Sequence, residues 1–259
     1  MDIERVKYEN CPLVEVVFQV DFPTILSIDV NEPAQFQELI RDKFPNYFIQ
    51  TQQEGQVYIG FDEETTVVNK HRTKKLHTFI SYDGKWKLVL AKDMLFLSTI
   101  AYSIWEDMAA RFEEPIKAFV QIYRPAYFSR VGLRYIDSFE KGQLGLAGTE
   151  WSDLFKPHIL GCLNYHTEDN MIIKTSTINA EIVFDDVVVN IETGMGTVDH
   201  HDGKPPANAF ILNCDYYSIG KYDAKDLNIV AVKLHQRSHV FFRESITDKL
   251  HLAMKPTGI

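Results

Sequence analysis

Short runs of β-branched and aromatic residues alternate with polar positions along much of the chain, and this period of two is typical of strands. The first run covers residues 12–20 and is rich in valine. Further runs follow between Tyr47 and Tyr102, at residues 57–61, 76–82, 86–90 and 94–100. Their close succession predicts an antiparallel meander, in which Asp83-Gly84 is the strongest hairpin signal.

Helical spacing of apolar residues replaces this alternation at two places in the first half. One helix is predicted at residues 33–44, with Pro33 in its first turn. A second begins after Ser103, a suitable capping residue, and has a predicted buried stripe of Trp105, Met108, Ala109, Phe112, Ile116 and Phe119. Pro115 lies inside that stripe, so we expect it to kink the helix or divide it in two.

The second half repeats the order of strands followed by a long helix. A strand is predicted at residues 128–139, and the glycine-rich segment 140–150 is the best candidate for a boundary. Beyond it the pattern predicts a short helix at 151–160, a hairpin at 171–193 that turns at Asp185-Asp186, a loop at 194–208, a strand at 210–218 and a helix at 226–243. Residues 245–248 have the spacing of a capping box and predict a last short helix.

These elements predict an α+β fold with largely antiparallel sheets and long packed helices. We divide the chain into an N-terminal half, residues 1–139, and a C-terminal half, residues 151–259. The two halves have a similar order of elements, which suggests two similar layers packed as one body. No residue-level repeat supports a duplication, and a single continuous domain is the alternative.

Composition limits the classes of function. The 259 residues carry a formal charge of -9, which disfavours non-specific binding to nucleic acid. The first residues have no apolar signal region, and no apolar run is long enough to span a bilayer, so we expect a cytoplasmic protein without a membrane partner. Cys11, Cys162 and Cys214 are widely separated, which argues against both disulfides and a close pair of zinc ligands.

The run Pro-Leu-Val-Glu-Val-Val-Phe-Gln-Val at residues 12–20 and the run Arg-Val-Gly-Leu-Arg-Tyr-Ile-Asp at residues 130–137 resemble an uncharacterised, sporadically distributed bacterial protein family of about this length. Both runs are structural strands, so the resemblance implies no catalytic residue. It implies a bacterial cytosolic protein of the accessory genome, where genes for phage defence and toxin control are common companions. That last step is an association only.

The most conspicuous polar cluster is Asp199, His200, His201 and Asp202. Carboxylate and imidazole together suit a divalent metal that activates water for cleavage of phosphate esters, and the run resembles the Asp-His-His element of a phosphoesterase family. The separate upstream aspartates of that family have no recognisable counterpart in this chain. An exposed turn is the alternative interpretation.

His235 and His239 stand four residues apart on a predicted helix. The zinc-protease motif requires glutamate after the first histidine, whereas this chain has Gln236. Both histidines fall at the edge of the buried stripe, so we interpret them as packed, hydrogen-bonded side chains rather than metal ligands.

Arg130 and Arg134 share one face of a predicted strand, and Asn213 and Asp215 share one face of another. If the two strands are neighbours, these four residues form either a structural charged layer or an anion-binding pocket. We expect a carboxylate partner for Arg134, because a guanidinium taken out of water is costly unless it is paired.

Two functions follow as hypotheses. The first is a non-catalytic binding or regulatory protein that recognises a protein or a small anion through its sheet face, with no cofactor; a protein partner is expected, and self-association stays open. The second is a metal-dependent hydrolase centred on Asp199, His200, His201 and Asp202.

Overall fold

The fold was obtained as a computed structural model, which describes residues 5–54, 72–165, 173, 175–198 and 207–258. Its strands are β1 (Val6–Tyr8), β2 (Leu13–Asp21), β3 (Asn46–Glu54), β4 (Arg72–Ile80), β5 (Trp86–Ala91), β6 (Met94–Thr99), β7 (Phe128–Phe139), β8 (Thr177–Phe184), β9 (Val187–Val198), β10 (Ala207–Tyr222) and β11 (Pro256–Gly258). Its α-helices are α1 (Leu26–Val30), α2 (Ala34–Ile40), α3 (Trp105–Tyr123), α4 (Pro157–Leu160), α5 (Leu227–Ser245) and α6 (Asp248–Ala253). The α+β class predicted from the sequence is confirmed.

Nine of these strands form one antiparallel sheet in the order β3-β4-β5-β6-β2-β7-β10-β9-β8. Strands β2 and β7 meet at its centre. The topology groups β7 with the C-terminal half, although the division predicted from the sequence ends the N-terminal half at residue 139. With β7 counted in the C-terminal half, hydrogen bonding runs without a break from one half into the other. The predicted boundary at residues 140–150 is a series of turns that follows β7 and lies outside the sheet. A separate pair, β1 and β11, joins the two ends of the described chain.

The two halves share one topology. Each has a first strand at the centre of the sheet, then short helices, then a meander whose last strand returns beside that first strand, and then a long helix. In the N-terminal half β6 returns beside β2, and in the C-terminal half β10 returns beside β7. The extra edge strand β3 breaks the correspondence.

One face of the sheet is the core, because alternate residues of each central strand are buried beneath the helices. In β2 these are Val16, Phe18 and Val20. Helix α3 covers them, and Phe112 packs against Phe18 with ring centroids 4.7 Å apart. Helix α5 packs on β7 and β10 in the other half. None of the helices in the described ranges combines the length and the apolar character that a membrane crossing requires.

Pro115 does not divide α3, which is a single helix of 19 residues. Prolines inside helices remove one backbone hydrogen bond, and the ring of Pro115 is buried together with residues of the stripe. Ser103 does not cap this helix; its Oγ accepts a hydrogen bond from Lys7 Nζ at 3.2 Å. Thr247, rather than Ser245, caps α6, because its Oγ1 accepts from the Leu250 amide.

The predicted loop at 194–208 is wrong at both ends, since β9 continues to Val198 and β10 begins at Ala207. The glycines that suggested a loop are needed for close contact between strands: a Cβ on Gly194 would lie 2.5 Å from the carbonyl oxygen of Ser176. The hairpin turn at Asp185-Asp186 is confirmed, with Asp185 in the left-handed region at φ 53°. The predicted run at 57–61 lies outside the described residues.

Candidate functional site

The face of the sheet opposite the helices is most polar in its C-terminal half, on β7, β10, β9 and β8. Its register places nine residues, one per strand, in a single row: Phe48, Thr78, Val89, Phe96, Gln19, Gly132, Tyr217, Val188 and Val183. The neighbouring rows hold Arg134 beside Asp215 and Asn213 beside Glu192. We call the part formed by Arg130, Arg134, Glu181, Asn190, Glu192, Asn213, Asp215 and Tyr217 the polar face.

Arg130 lies on β7 at one end of the polar face. Its side chain runs along β7 above Gly132 and donates from Nη2 to Asp215 Oδ2 at 2.8 Å. The guanidinium also lies 4.6 Å from the ring centroid of Tyr217 and 3.9 Å from Asp21 Oδ2. Gly132 makes this path available, because a Cβ there would lie 2.4 Å from Arg130 Nη1. The arginine is therefore held by two carboxylates and one aromatic ring.

Arg134 has different surroundings. It is exposed, and its Nε donates to Asn213 Oδ1 at 2.7 Å; Asn213 Nδ2 in turn donates to Glu192 Oε2 at 3.1 Å. The prediction of a carboxylate partner for Arg134 is thus wrong for the described residues. Arg130 binds Asp215, and Arg134 binds the side-chain amide of Asn213 instead. Three planar groups in a row, those of Arg134, Asn213 and Glu192, present unused donor and acceptor positions to solvent.

A shallow depression of about 490 Å³ lies beside Arg134. Its wall includes Glu181, Glu192 and Asp215, so carboxylates outnumber guanidinium groups among the described residues of the wall. The Tyr217 hydroxyl donates to Glu181 Oε2 at 3.1 Å and fixes one of these carboxylates. Burial raises the pKa of nearby Asp21, and the bond from Gln19 and the charge of Arg130 only partly oppose that increase. The electrostatic character of the polar face is acidic around two fixed arginines.

The structure brings together all four residues that the sequence singled out as a tentative binding set, because β7 and β10 are neighbours. Sequence reasoning missed Glu181, Glu192 and Tyr217, which come from β8, β9 and β10. Their positions on the outward half of each alternation are a signal in the sequence. The order of the strands in the sheet has no such signal in the sequence. The cluster of these side chains could therefore not be predicted.

The alternative metal residues Asp199, His200, His201 and Asp202 lie outside the described residues. Within the described ranges, no group of three or more His, Cys, Asp or Glu side chains has a geometry that could hold a metal ion. His235 is packed as predicted: its Nδ1 lies 2.9 Å from the Tyr135 hydroxyl and its ring stacks on Trp105. Burial lowers the pKa of His235 to about 4.

Comparison with known proteins gives no assignment. No family model matches the chain, and no curated protein matches it with significant similarity. The polar face therefore has to be interpreted from its own geometry.

The two arginines are expected to differ in their contribution to stability. Arg130→Ala leaves Asp21 and Asp215 half-buried without their cation, so we expect a loss of about 2 kcal/mol, between the values for exposed and fully buried pairs. Arg134→Ala removes an exposed hydrogen bond, with an expected loss below about 1 kcal/mol. Melting followed by circular dichroism tests this order, and equal losses in the two variants would contradict it.

Proposed function

We propose that this protein is a non-catalytic binding module whose polar face docks a protein partner with a basic surface. The observation that supports this most directly is the arrangement of exposed carboxylates, Glu181 and Glu192, around a depression that Arg134 also borders. Tyr217 lies next to it and donates a hydrogen bond to Glu181. Oppositely charged surfaces steer association and select partners. Arginine and tyrosine are common anchors in protein interfaces.

Apolar side chains beside the polar face support a macromolecular partner over a small anion. Val183 and Ile219 are 64% and 71% exposed on the same side of the sheet. Interfaces combine a desolvated apolar or aromatic centre with a polar rim, and a typical one buries about 800 Å² on each partner. A small anion would also meet Glu181, Glu192 and Asp215, whose charges repel it.

The test is charge reversal on the polar face with a matched control on the helix side. Tagged protein is purified from its native host, the bound protein is identified by mass spectrometry, and association is measured at low and high salt. Glu181→Lys/Glu192→Lys should slow association about tenfold or more at low salt, because steering becomes repulsion. Glu113→Lys/Glu114→Lys makes the same charge change on exposed positions of α3 and should leave the rate nearly unchanged.

Two results would overturn the proposal. One is a partner whose association responds equally to both double variants, since a general charge effect needs no docking face. The other is loss of cellular activity in His200→Ala/His201→Ala protein that still folds and still binds its partner, which would favour the metal-dependent hydrolase. Capture of a protein alone, without the charge dependence, does not support a site on the polar face.

A further inference from the structure

A cavity of about 130 Å³ lies on the helix side of the sheet, opposite the polar face. Strands β7 and β10 form its floor, α5 covers it, and β1 with the start of β2 forms its border. Its wall is mainly apolar and aromatic, with Tyr8, Tyr102, Tyr135, Tyr216 and Phe242 among the lining residues. Its size is close to that of a cavity that accommodates benzene, so it suits a ligand built around one small ring.

Asp137 of β7 lines this cavity and is only 4% exposed. Its position in the alternation is that of Leu133 and Phe139, both of which are core residues. No hydrogen bond or ion pair to its carboxyl group comes from any described residue. Burial alone raises the pKa of Asp137 to about 8. A carboxyl group in such a place requires either a proton or a cation from outside the chain.

The other groups of the wall do not supply that cation. No Lys or Arg is among the described residues that line the cavity. Burial lowers the pKa of both His235 and His239, which keeps the imidazoles of α5 neutral near pH 7. Burial raises the pKa of every other titratable group among the described residues of the wall, so these groups are neutral too. They come from β1, β7, β10 and the intervening segments and are Tyr8, Cys11, Tyr102, Tyr135, Cys214 and Tyr216.

We propose that this cavity binds a compact organic amine in its ammonium form, with the Asp137 carboxylate as the anionic partner and the tyrosine rings as the surrounding wall. The ammonium group donates N–H to the carboxylate, and the proton that Asp137 held is released to solvent. Aromatic rings stabilise a desolvated ammonium group through their negative faces. This site is separate from the polar face and does not depend on the proposed partner.

Benzylamine is a suitable probe, and benzyl alcohol is its uncharged counterpart of the same shape. Cys11 is an exposed residue whose side chain is partly desolvated where it lines the cavity, and Cys162 is an exposed residue elsewhere. Alkylation of the two, measured by peptide mass spectrometry, therefore gives an internal control. Benzylamine at ten times its dissociation constant should slow alkylation of Cys11 about tenfold and leave Cys162 unchanged. Benzyl alcohol should protect Cys11 much less.

Asp137→Asn keeps the shape of the side chain and removes its charge, and it should fold because it removes a buried ionisable group. In this variant benzylamine should protect Cys11 no better than benzyl alcohol does, and it should no longer raise the melting temperature. Equal protection by the two compounds in the unaltered protein would overturn the proposal in favour of an apolar cavity without charge selectivity. Protection by neither compound, or unchanged benzylamine binding in Asp137→Asn, would also overturn it.

Discussion

Replacing Asp137 with asparagine is expected to stabilise the protein above neutral pH and to change its stability little near pH 4. Burial raises the pKa of this carboxyl to about 8 in the folded protein, from about 4 in an unfolded chain. Between these values the folded state keeps a proton that the unfolded state has lost. Stability due to Asp137 therefore falls as pH rises, by roughly 1 kcal/mol per pH unit. The amide has no such dependence on pH. At pH 8 the free energy of unfolding of the variant should therefore exceed that of the unaltered protein by a few kcal/mol.

Denaturant unfolding at pH 5, 6, 7 and 8 measures this difference. Asp42→Asn makes the same chemical change at an exposed position and should give a curve parallel to that of the unaltered protein. Only the gap between Asp137→Asn and the unaltered protein should widen with pH. A constant gap would show that Asp137 is already ionised in the folded state at pH 5 and that a positive partner lies nearby.

The central strands were predictable because inward-facing and outward-facing residues alternate along them. In β2, and in β7 from Val131 to Phe139, every second residue faces the helices, so the period of two is visible in the sequence. The turn at Asp185-Asp186 was predictable for a similar local reason, since aspartate tolerates the left-handed conformation that Asp185 adopts. Where a local rule and the tertiary fold agree, the sequence alone predicts the element.

Elements were missed where tertiary contact overrides a local signal. The sequence predicts a loop at Gly194, but this residue lies in β9. A glycine is needed there because the neighbouring segment at Ser176 passes too close for any side chain. Lys74 and Lys75 stand before the strand predicted at residues 76–82, yet they lie in β4; Lys75 Nζ donates to the carbonyl oxygen of Asp29 at 2.7 Å. Neither contact has a signature at the level of sequence spacing.

The two candidate sites show the same limit. Arg130 and Arg134 were correctly placed on one strand face, but their partners depend on which strand of the sheet lies beside β7. Asp137 was not predicted as a site residue, because carboxyl groups are rarely fully buried. The preceding alternation nevertheless assigns this position to the core. A charged residue at a predicted core position is the signal that could have revealed the cavity.

Strand β7 links both sites, since Arg130 and Arg134 point to the polar face while Tyr135 and Asp137 point to the cavity. The same strand joins β2 of one half to β10 of the other. A destabilising substitution in either half therefore affects a sheet that both halves share.

The two halves are expected to unfold in a single transition, because no boundary interrupts the hydrogen bonding between β2, β7 and β10. Phe112→Ala alters the N-terminal half, and Phe210→Ala alters the C-terminal half, where the ring lies 4.4 Å from that of Phe155. Both rings are buried, so each change should cost about 3 to 5 kcal/mol and lower the melting temperature by about 10 °C.

Calorimetry distinguishes shared unfolding from two independent domains. In a shared sheet each variant moves the whole transition, and the calorimetric and van't Hoff enthalpies stay equal. Ile229→Ala, at a position of α5 that is 70% exposed, serves as the control and should shift the transition little. If Phe112→Ala instead splits the transition and leaves one component at the original temperature, the halves are separable domains that divide between α3 and β7, at residues 124–127, rather than at residues 140–150. The physical reason would then be that the β2 and β7 pairing contributes less than the separate cores beneath α3 and α5.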